Sequence, residues 1–186
     1  MKTEILKAVE GLSRALPAFA SQAETVEKIA LELLNALKNG HKILVCGNGG
    51  SAAESQHMAA EIVGRFRRNR RALPALALTT DTSVITSVAN DYSFEEIFSR
   101  QVEALGEEGD VLVAFSTSGG SRNVLKAAEA AARKKMKVVG VTGPGGELAD
   151  KCSLALKVAD PATPRIQEIH LLFVHIVCEL LEKELA

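Results

Sequence analysis

Two short stretches rich in glycine and serine stand out: Gly47-Asn48-Gly49-Gly50-Ser51-Ala52 and Ser116-Thr117-Ser118-Gly119-Gly120-Ser121. Each follows a short apolar run and opens a helical pattern. Glycines let such a loop turn tightly, and the free N–H groups of a helix N-terminus can then point at an anion. Serine and threonine hydroxyls add donors with little bulk, so a phosphate held by neutral donors is one natural reading. Ordinary strand-to-helix turns with N-cap serines are the other. Gly47-x-Gly49-x-x-Ala52 also fits the weak G-x-G-x-x-A dinucleotide fingerprint. That motif needs an acidic residue ending the second strand; the nearest candidate, Asp81, comes late and follows two threonines. A dinucleotide also leaves the serine-rich second loop unexplained.

A second group of residues suits proton transfer or metal binding. His57 and Glu61 are four apart on the helix after the first loop and share a face. Gln167, His170 and His175 lie on the last helix. Gln167 and His175 differ by a rotation of roughly 80°, whereas His170 falls on a different face and reads as a hydrogen-bonded core or surface histidine. Two imidazoles and a carboxylate suit a divalent metal such as zinc, with glutamine a less common ligand. The same groups also suit acid–base chemistry without metal, and each histidine taken alone is compatible with a structural role. Asn90-Asp91 ends another helical stretch and can bind hydroxyls or cap a turn. Gly64 to Arg71 carries Arg65, Arg67, Arg68, Arg70 and Arg71, which reads as a solvated loop or subunit rim with Arg65 nearest the site.

The elements that must position these residues follow from hydrophobic periodicity. Five short apolar runs, Ile43–Cys46, Ala75–Leu78, Val111–Phe115, Val138–Val141 and Leu154–Val158, are near-continuous, as in strands buried on both faces. Helical stretches at about 2–17, 22–39, 50–66 and 164–185 frame them. The expected fold is α/β: a three-layer αβα sandwich on a five-stranded parallel sheet, one domain spanning residues 1–186. In such sheets ligands sit beyond the carboxyl ends of the strands, where both glycine-rich loops fall.

Composition narrows the class. With 186 residues and 47% hydrophobic residues, the chain can bury a core and is not a disordered segment. Lys plus Arg number 22 and Asp plus Glu 23, a net charge of −1 that argues against nucleic-acid binding by bulk electrostatics. No stretch reaches the ~18 uncharged apolar residues of a membrane span. Ala18-Phe19-Ala20 resembles a signal-peptidase site, but Glu4, Lys7, Glu10 and Arg14 interrupt the preceding segment, which reads as an amphipathic helix. Cys46, Cys152 and Cys178 form no CxxC pair and read as reduced core residues of a cytoplasmic protein.

Taken together and in order, these motifs resemble those of the bacterial phosphoheptose isomerases, of the sugar isomerase (SIS) fold. The resemblance rests on Cys46-Gly47-Asn48-Gly49-Gly50-Ser51, His57 with Glu61, Asn90-Asp91, Gly109-Asp110 before Ser116-Thr117-Ser118-Gly119, and Arg165-Ile166-Gln167-Glu168-Ile169-His170 with His175. It covers almost the whole chain. It implies conversion of D-sedoheptulose 7-phosphate to D-glycero-D-manno-heptose 7-phosphate, a step toward activated heptoses for lipopolysaccharide or surface glycans. It also implies a homotetramer with sites built across subunit contacts, and zinc held by His57, Glu61, Gln167 and His175. Carried over residue by residue, Ser116, Thr117, Ser118 and Ser121 would hold the phosphate. Asn48, Gly49, Gly50, Asn90, Asp91, Glu61 and Gln167 would line the sugar, with Glu61 and His175 the acid–base pair. A non-catalytic tetrameric relative that bridges copies of the bacterial replication initiator is the alternative. Such adaptors lack the counterparts of Glu61 and His175, both present here. A sugar-phosphate sensor would keep the loops without needing Glu61.

Overall fold

A computed structural model describes all residues, 1–186. Two long helices lead: α1 (Lys2–Ala20) and α2 (Ala23–Lys38). Then come β1 (Ile43–Cys46), α3 (Gly50–Val63), β2 (Ala75–Ala77), α4 (Thr82–Asp91) and α5 (Ser99–Leu105). The chain closes with β3 (Val111–Ser116), α6 (Arg122–Arg133), β4 (Lys137–Thr142), β5 (Leu154–Lys157) and α7 (Thr163–Leu185). The five strands form one sheet in the order β2-β1-β3-β4-β5, and every pairing is parallel. This is the expected three-layer α/β architecture.

Strand burial follows position in the sheet. β1 and β3 lie at its centre and every residue in them is buried, hence their unbroken apolar sequences. β2 and β5 are edges, and Leu76 is exposed. One apolar layer, formed by α1, α2, α3 and α7, packs on one face around Ile29, Leu33, Val113 and Phe173. The other, formed mainly by α5 and α6, packs on the opposite face around Val102, Leu112 and Ala128. All three thiols are free. Burial pushes those of Cys152 and Cys178 up to about 12, so neither is a thiolate at neutral pH.

One helix boundary differs from the sequence expectation. α3 stops at Val63 rather than near Phe66, because Gly64 breaks the helix and the chain turns away. β4 and β5 are joined by a segment with a four-residue 3-10 turn (Leu148–Lys151). α1 is amphipathic, yet much of its apolar stripe faces outward: Ile5, Val9 and Leu16 are exposed while Gly11, Ala15 and Phe19 are buried.

The chain leaves β1 toward β2 on one side and then crosses to β3 on the other. The loops after β1 and β3 therefore diverge and leave a crevice between them, the switch point of this strand order. Both glycine-rich stretches border it.

Candidate active site

The loop after β3 forms a hydroxyl cradle. Ser116 Oγ donates to Ser121 Oγ at 3.1 Å and lies 3.4 Å from Ser118 Oγ, which accepts from the Gly120 N–H at 3.2 Å. Ser121 is the N-cap of α6, so the first N–H groups of that helix open beside these hydroxyls. The loop is held from behind. Gly119 adopts a positive φ of 65°, and a Cβ there would lie 2.1 Å from the Gly145 carbonyl oxygen. The Gly119 carbonyl in turn accepts from the Leu148 N–H at 2.9 Å. Three hydroxyls and a helix N-terminus, with no lysine among them, suit a phosphate ester. Thr117 lies half-exposed in the same loop.

The loop after β1 is tied to this cradle by a reciprocal amide pair. Asn48 Nδ2 donates to Asn123 Oδ1 and Asn123 Nδ2 donates to Asn48 Oδ1, both at 2.8 Å. Asn123, in the first turn of α6, was not singled out by sequence; its position two residues after Ser121 was the available signal. Gly50 opens α3 under the side chain of Gln167: a Cβ at Gly50 would lie 2.2 Å from Gln167 Nε2. Only glycine lets α7 bring that amide down onto the loop.

Further along α3 and α7, a second group converges. His57 Nε2 and Glu61 Oε1 are 3.0 Å apart. The His57 ring meets the His175 ring edge-on, with centroids 5.2 Å apart at 75°. Phe66 also packs against His175, centroid to centroid 5.6 Å. Glu61 is one-fifth exposed and His57 about two-fifths, so both combine partial drying with access. A carboxylate and two imidazoles from two helices thus share one surface.

Other expected residues are placed elsewhere. Gln167 sits at Gly50, two helical turns from His175, a rise of about 12 Å. Asn90 and Asp91 are exposed at the end of α4, where Asn90 Nδ2 donates to Asp91 Oδ1 at 2.8 Å. His170 is fully buried: Nε2 lies 3.3 Å from the Thr142 carbonyl and Nδ1 lies 3.6 Å from the buried Glu54 carboxylate. Asp110, in the motif before β3, lies at the amino end of that strand, away from the cradle at its carboxyl end. There it accepts from the Lys42 and Glu107 N–H groups and pairs with Lys42 Nζ at 2.6 Å.

No three His, Cys, Asp or Glu side chains stand around one metal position; His57 and Glu61 hold each other instead. The donor chemistry nevertheless suits zinc, because imidazole nitrogen and carboxylate oxygen are its usual partners and all three side chains are adjacent.

Comparison with known proteins converges on one family. The SIS domain model matches residues 9–143. A phosphoheptose isomerase from Aliarcobacter butzleri is 46% identical over the full length of both chains. One from Desulfovibrio desulfuricans is 56% identical over 87% of this chain and 78% of its own. The chain belongs to the SIS-domain phosphoheptose isomerases. Solved structures of the family agree: that from Neisseria gonorrhoeae superposes with a TM-score of 0.93 at 42% identity, covering 98% of each chain. That from Francisella tularensis gives 0.94 at 38% identity over 97% of each. These relatives lend no support to the adaptor reading.

Two features of this family member were not legible in the sequence. Of the five arginines, Arg70 makes a hydrogen bond to a site residue, a contact that sequence reading did not single out. Arg70 donates to the Glu61 carbonyl at 2.8 Å and its side chain is nearly buried, whereas Arg65, Arg67, Arg68 and Arg71 are exposed. Glu182, a buried acid on α7, accepts from the backbone N–H groups of Phe66, Arg67 and Arg68 at 2.8–2.9 Å. It stands seven residues after His175, on the same helix face, which was the signal available.

Proposed function

We propose that this chain is an aldose–ketose isomerase that converts D-sedoheptulose 7-phosphate to D-glycero-D-manno-heptose 7-phosphate through a cis-enediol. The observation that carries it is the meeting of Glu61 from α3 with His175 from α7 across His57. In the forward direction the Glu61 carboxylate takes a proton from C1 of the ketose and returns one to C2. His175 carries the hydroxyl proton from O1 to the former carbonyl oxygen at C2. One proton leaves and one arrives at carbon, and likewise at oxygen, so no redox partner is needed. Ser116, Thr117, Ser118 and Ser121 anchor the phosphate, while Asn48, Gly49, Gly50, Asn90, Asp91 and Gln167 face the sugar hydroxyls.

His57, Glu61 and His175 would hold zinc, one ion per subunit, with Gln167 joining them once its amide swings away from Gly50. A metal held there would supply Lewis-acid polarisation of a carbonyl oxygen. Glu61 and His175 cannot be tight ligands and free bases together, so the decisive experiment is an assay on sedoheptulose 7-phosphate with and without chelator. Appearance of the aldose supports the isomerase. No turnover by protein loaded with zinc would refute it, and turnover untouched by thorough chelation would remove the metal from the chemistry.

The working unit is a homotetramer whose sites span subunit contacts. Support comes from the outward stripe of Ile5, Val9 and Leu16 and from an apolar groove of about 760 Å³ lined by Leu16, Phe19, Leu172, Ile176 and Leu180. Glu61 also lies eleven residues beyond Gly50, a rise of about 16 Å along α3, far for one sugar phosphate to bridge from the cradle of the same subunit. A second copy that supplied the other half of each site would remove that mismatch. Mixing a Glu61→Gln chain with a Ser116→Ala chain tests this: if sites are shared, mixed oligomers contain sites of wild-type KM and, at substrate well below the KM of Ser116→Ala, exceed the activity of either variant alone; if each site lies within one subunit, no such sites form. The place of work is the cytoplasm, a reading supported by three free cysteines; no helix is long and apolar enough to cross a membrane.

A further inference from the structure

The segment between α3 and β2 is held by an unusual clasp. The Glu182 carboxylate is 2% exposed and spreads its two oxygens over three consecutive backbone donors: Oε1 accepts from Phe66 at 2.9 Å, Oε2 from Arg67 and Arg68 at 2.8 Å. The Arg70 guanidinium stands 3.7 Å away, equally shielded from water. Charge-assisted bonds to backbone N–H groups are the stronger kind, and a half-satisfied buried carboxylate is costly. The clasp therefore fixes the backbone at residues 66–68 rather than merely decorating it.

Both ends of the clasped segment reach the groups that do the chemistry. Phe66, whose own N–H is held, lays its ring on His175. Arg70, which pairs with Glu182, donates to the carbonyls of Glu61 at 2.8 Å and Gly64 at 3.3 Å, satisfying acceptors that the end of α3 leaves open. Cys178 occupies α7 between His175 and Glu182, and its thiol is raised first by burial and then by the charge of Glu61. The carboxylate at 182, the Phe66 ring, the imidazole at 175 and the end of α3 thus form one continuous contact.

We propose that Glu182 is a positioning residue for the isomerisation: by clasping residues 66–68 it seats Phe66 against His175 and Arg70 under Glu61, and so sets the mutual orientation of the acid–base pair without touching substrate. This inference rests on the catalytic reading of Glu61 and His175. Its signature is a loss in kcat with KM for the sugar phosphate largely kept, because the phosphate cradle shares no contact with the clasp.

The experiment has two arms on the full-length protein. With sedoheptulose 7-phosphate, Glu182→Gln is expected to lower kcat roughly tenfold or more while KM moves less than about threefold, with Phe66→Ala reproducing the split. Glu179→Gln, which removes an exposed carboxylate one turn away, should stay within about twofold on both constants. In the second arm the four histidines make the ring-proton NMR spectrum assignable, with His175→Gln identifying the relevant signal. Phe66→Ala and Glu182→Gln should both move the His175 resonance, since each takes an aromatic ring off it. A folded Glu182→Gln protein with parental kcat, or one whose His175 signal stays in place, would overturn the proposal. If Glu182→Gln does not fold, Phe66→Ala decides, and parental kcat there overturns it equally. Should the wild-type chain itself turn over nothing, the isomerase reading fails, while the NMR arm still reports on the clasp.

Discussion

Two buried carboxylates, Asp110 and Glu182, use the same device in two parts of the molecule. Each is at most 2% exposed, accepts from backbone N–H groups of a neighbouring segment and has a cation beside it. Asp110 joins the turn before β3 to the residue before β1, and everything it holds is sheet. Glu182 holds a loop whose side chains touch His175 and Glu61. The device is identical and its consequence differs, because what matters is what lies at the far end of the clasped backbone. Loss of Asp110 should therefore be read in stability alone, and loss of Glu182 in the rate of chemistry as well as in stability.

The contrast can be broken or sharpened by substitution, beginning with the group that the second clasp serves. Glu61→Gln should reduce kcat by about 10²–10⁴-fold with an unchanged melting temperature, measured by coupled assay and calorimetry. His175→Gln should lose a comparable factor. Asp110→Asn should do the reverse. Removing its charge from Lys42 and two N–H groups costs about 2 kcal/mol, discounted because Lys42 is partly solvated, and lowers the melting temperature by roughly 4–8 °C with kcat held. A fall in kcat without a fall in stability would erase the distinction between the two acids.

Acid pH probes the second clasp further. Burial pushes the Glu182 carboxyl up, but the three N–H groups and Arg70 together outweigh it and hold it below its ordinary value of 4.5. A lowered folded-state value means that the charge contributes stability above the unfolded value and loses it as pH falls through the folded one. The melting-temperature gap between wild type and Glu182→Gln should thus stay constant above about pH 5 and shrink toward about pH 3. A gap that widens on acidification would contradict the charged clasp. The smallest effect is expected in the cradle. Ser116→Ala or Ser121→Ala should raise KM about tenfold each with little change in kcat, since each removes one donor to a phosphate that does not react.

Much of this architecture was legible in the sequence because the physics is local. The unbroken apolar runs at Ile43–Cys46 and Val111–Phe115 are what a central parallel strand requires, and Gly-Ser-rich junctions mark where strands turn into helices. His57 and Glu61 announced themselves by helical spacing, and His170 was set apart from His175 by its face. The clasps were not legible. Asp110 and Glu182 act on backbone N–H groups, which every residue has, so the partner segment leaves no trace in side-chain types. Arg70 differs from Arg65 only in which way the broken end of α3 directs the chain. The outward apolar stripe of α1 was visible as periodicity, but periodicity does not say which side of a helix meets its own core.

The central claim is that a carboxylate on α3 and an imidazole on α7 move the protons of a phosphorylated ketose. Its most direct test follows the reaction in heavy water by proton NMR, with sedoheptulose 7-phosphate and either the wild-type chain or Glu61→Gln. Wild-type protein should yield the aldose with solvent deuterium at C2, and Glu61→Gln should yield neither aldose nor exchange. Aldose formed by Glu61→Gln at the wild-type rate would contradict the account.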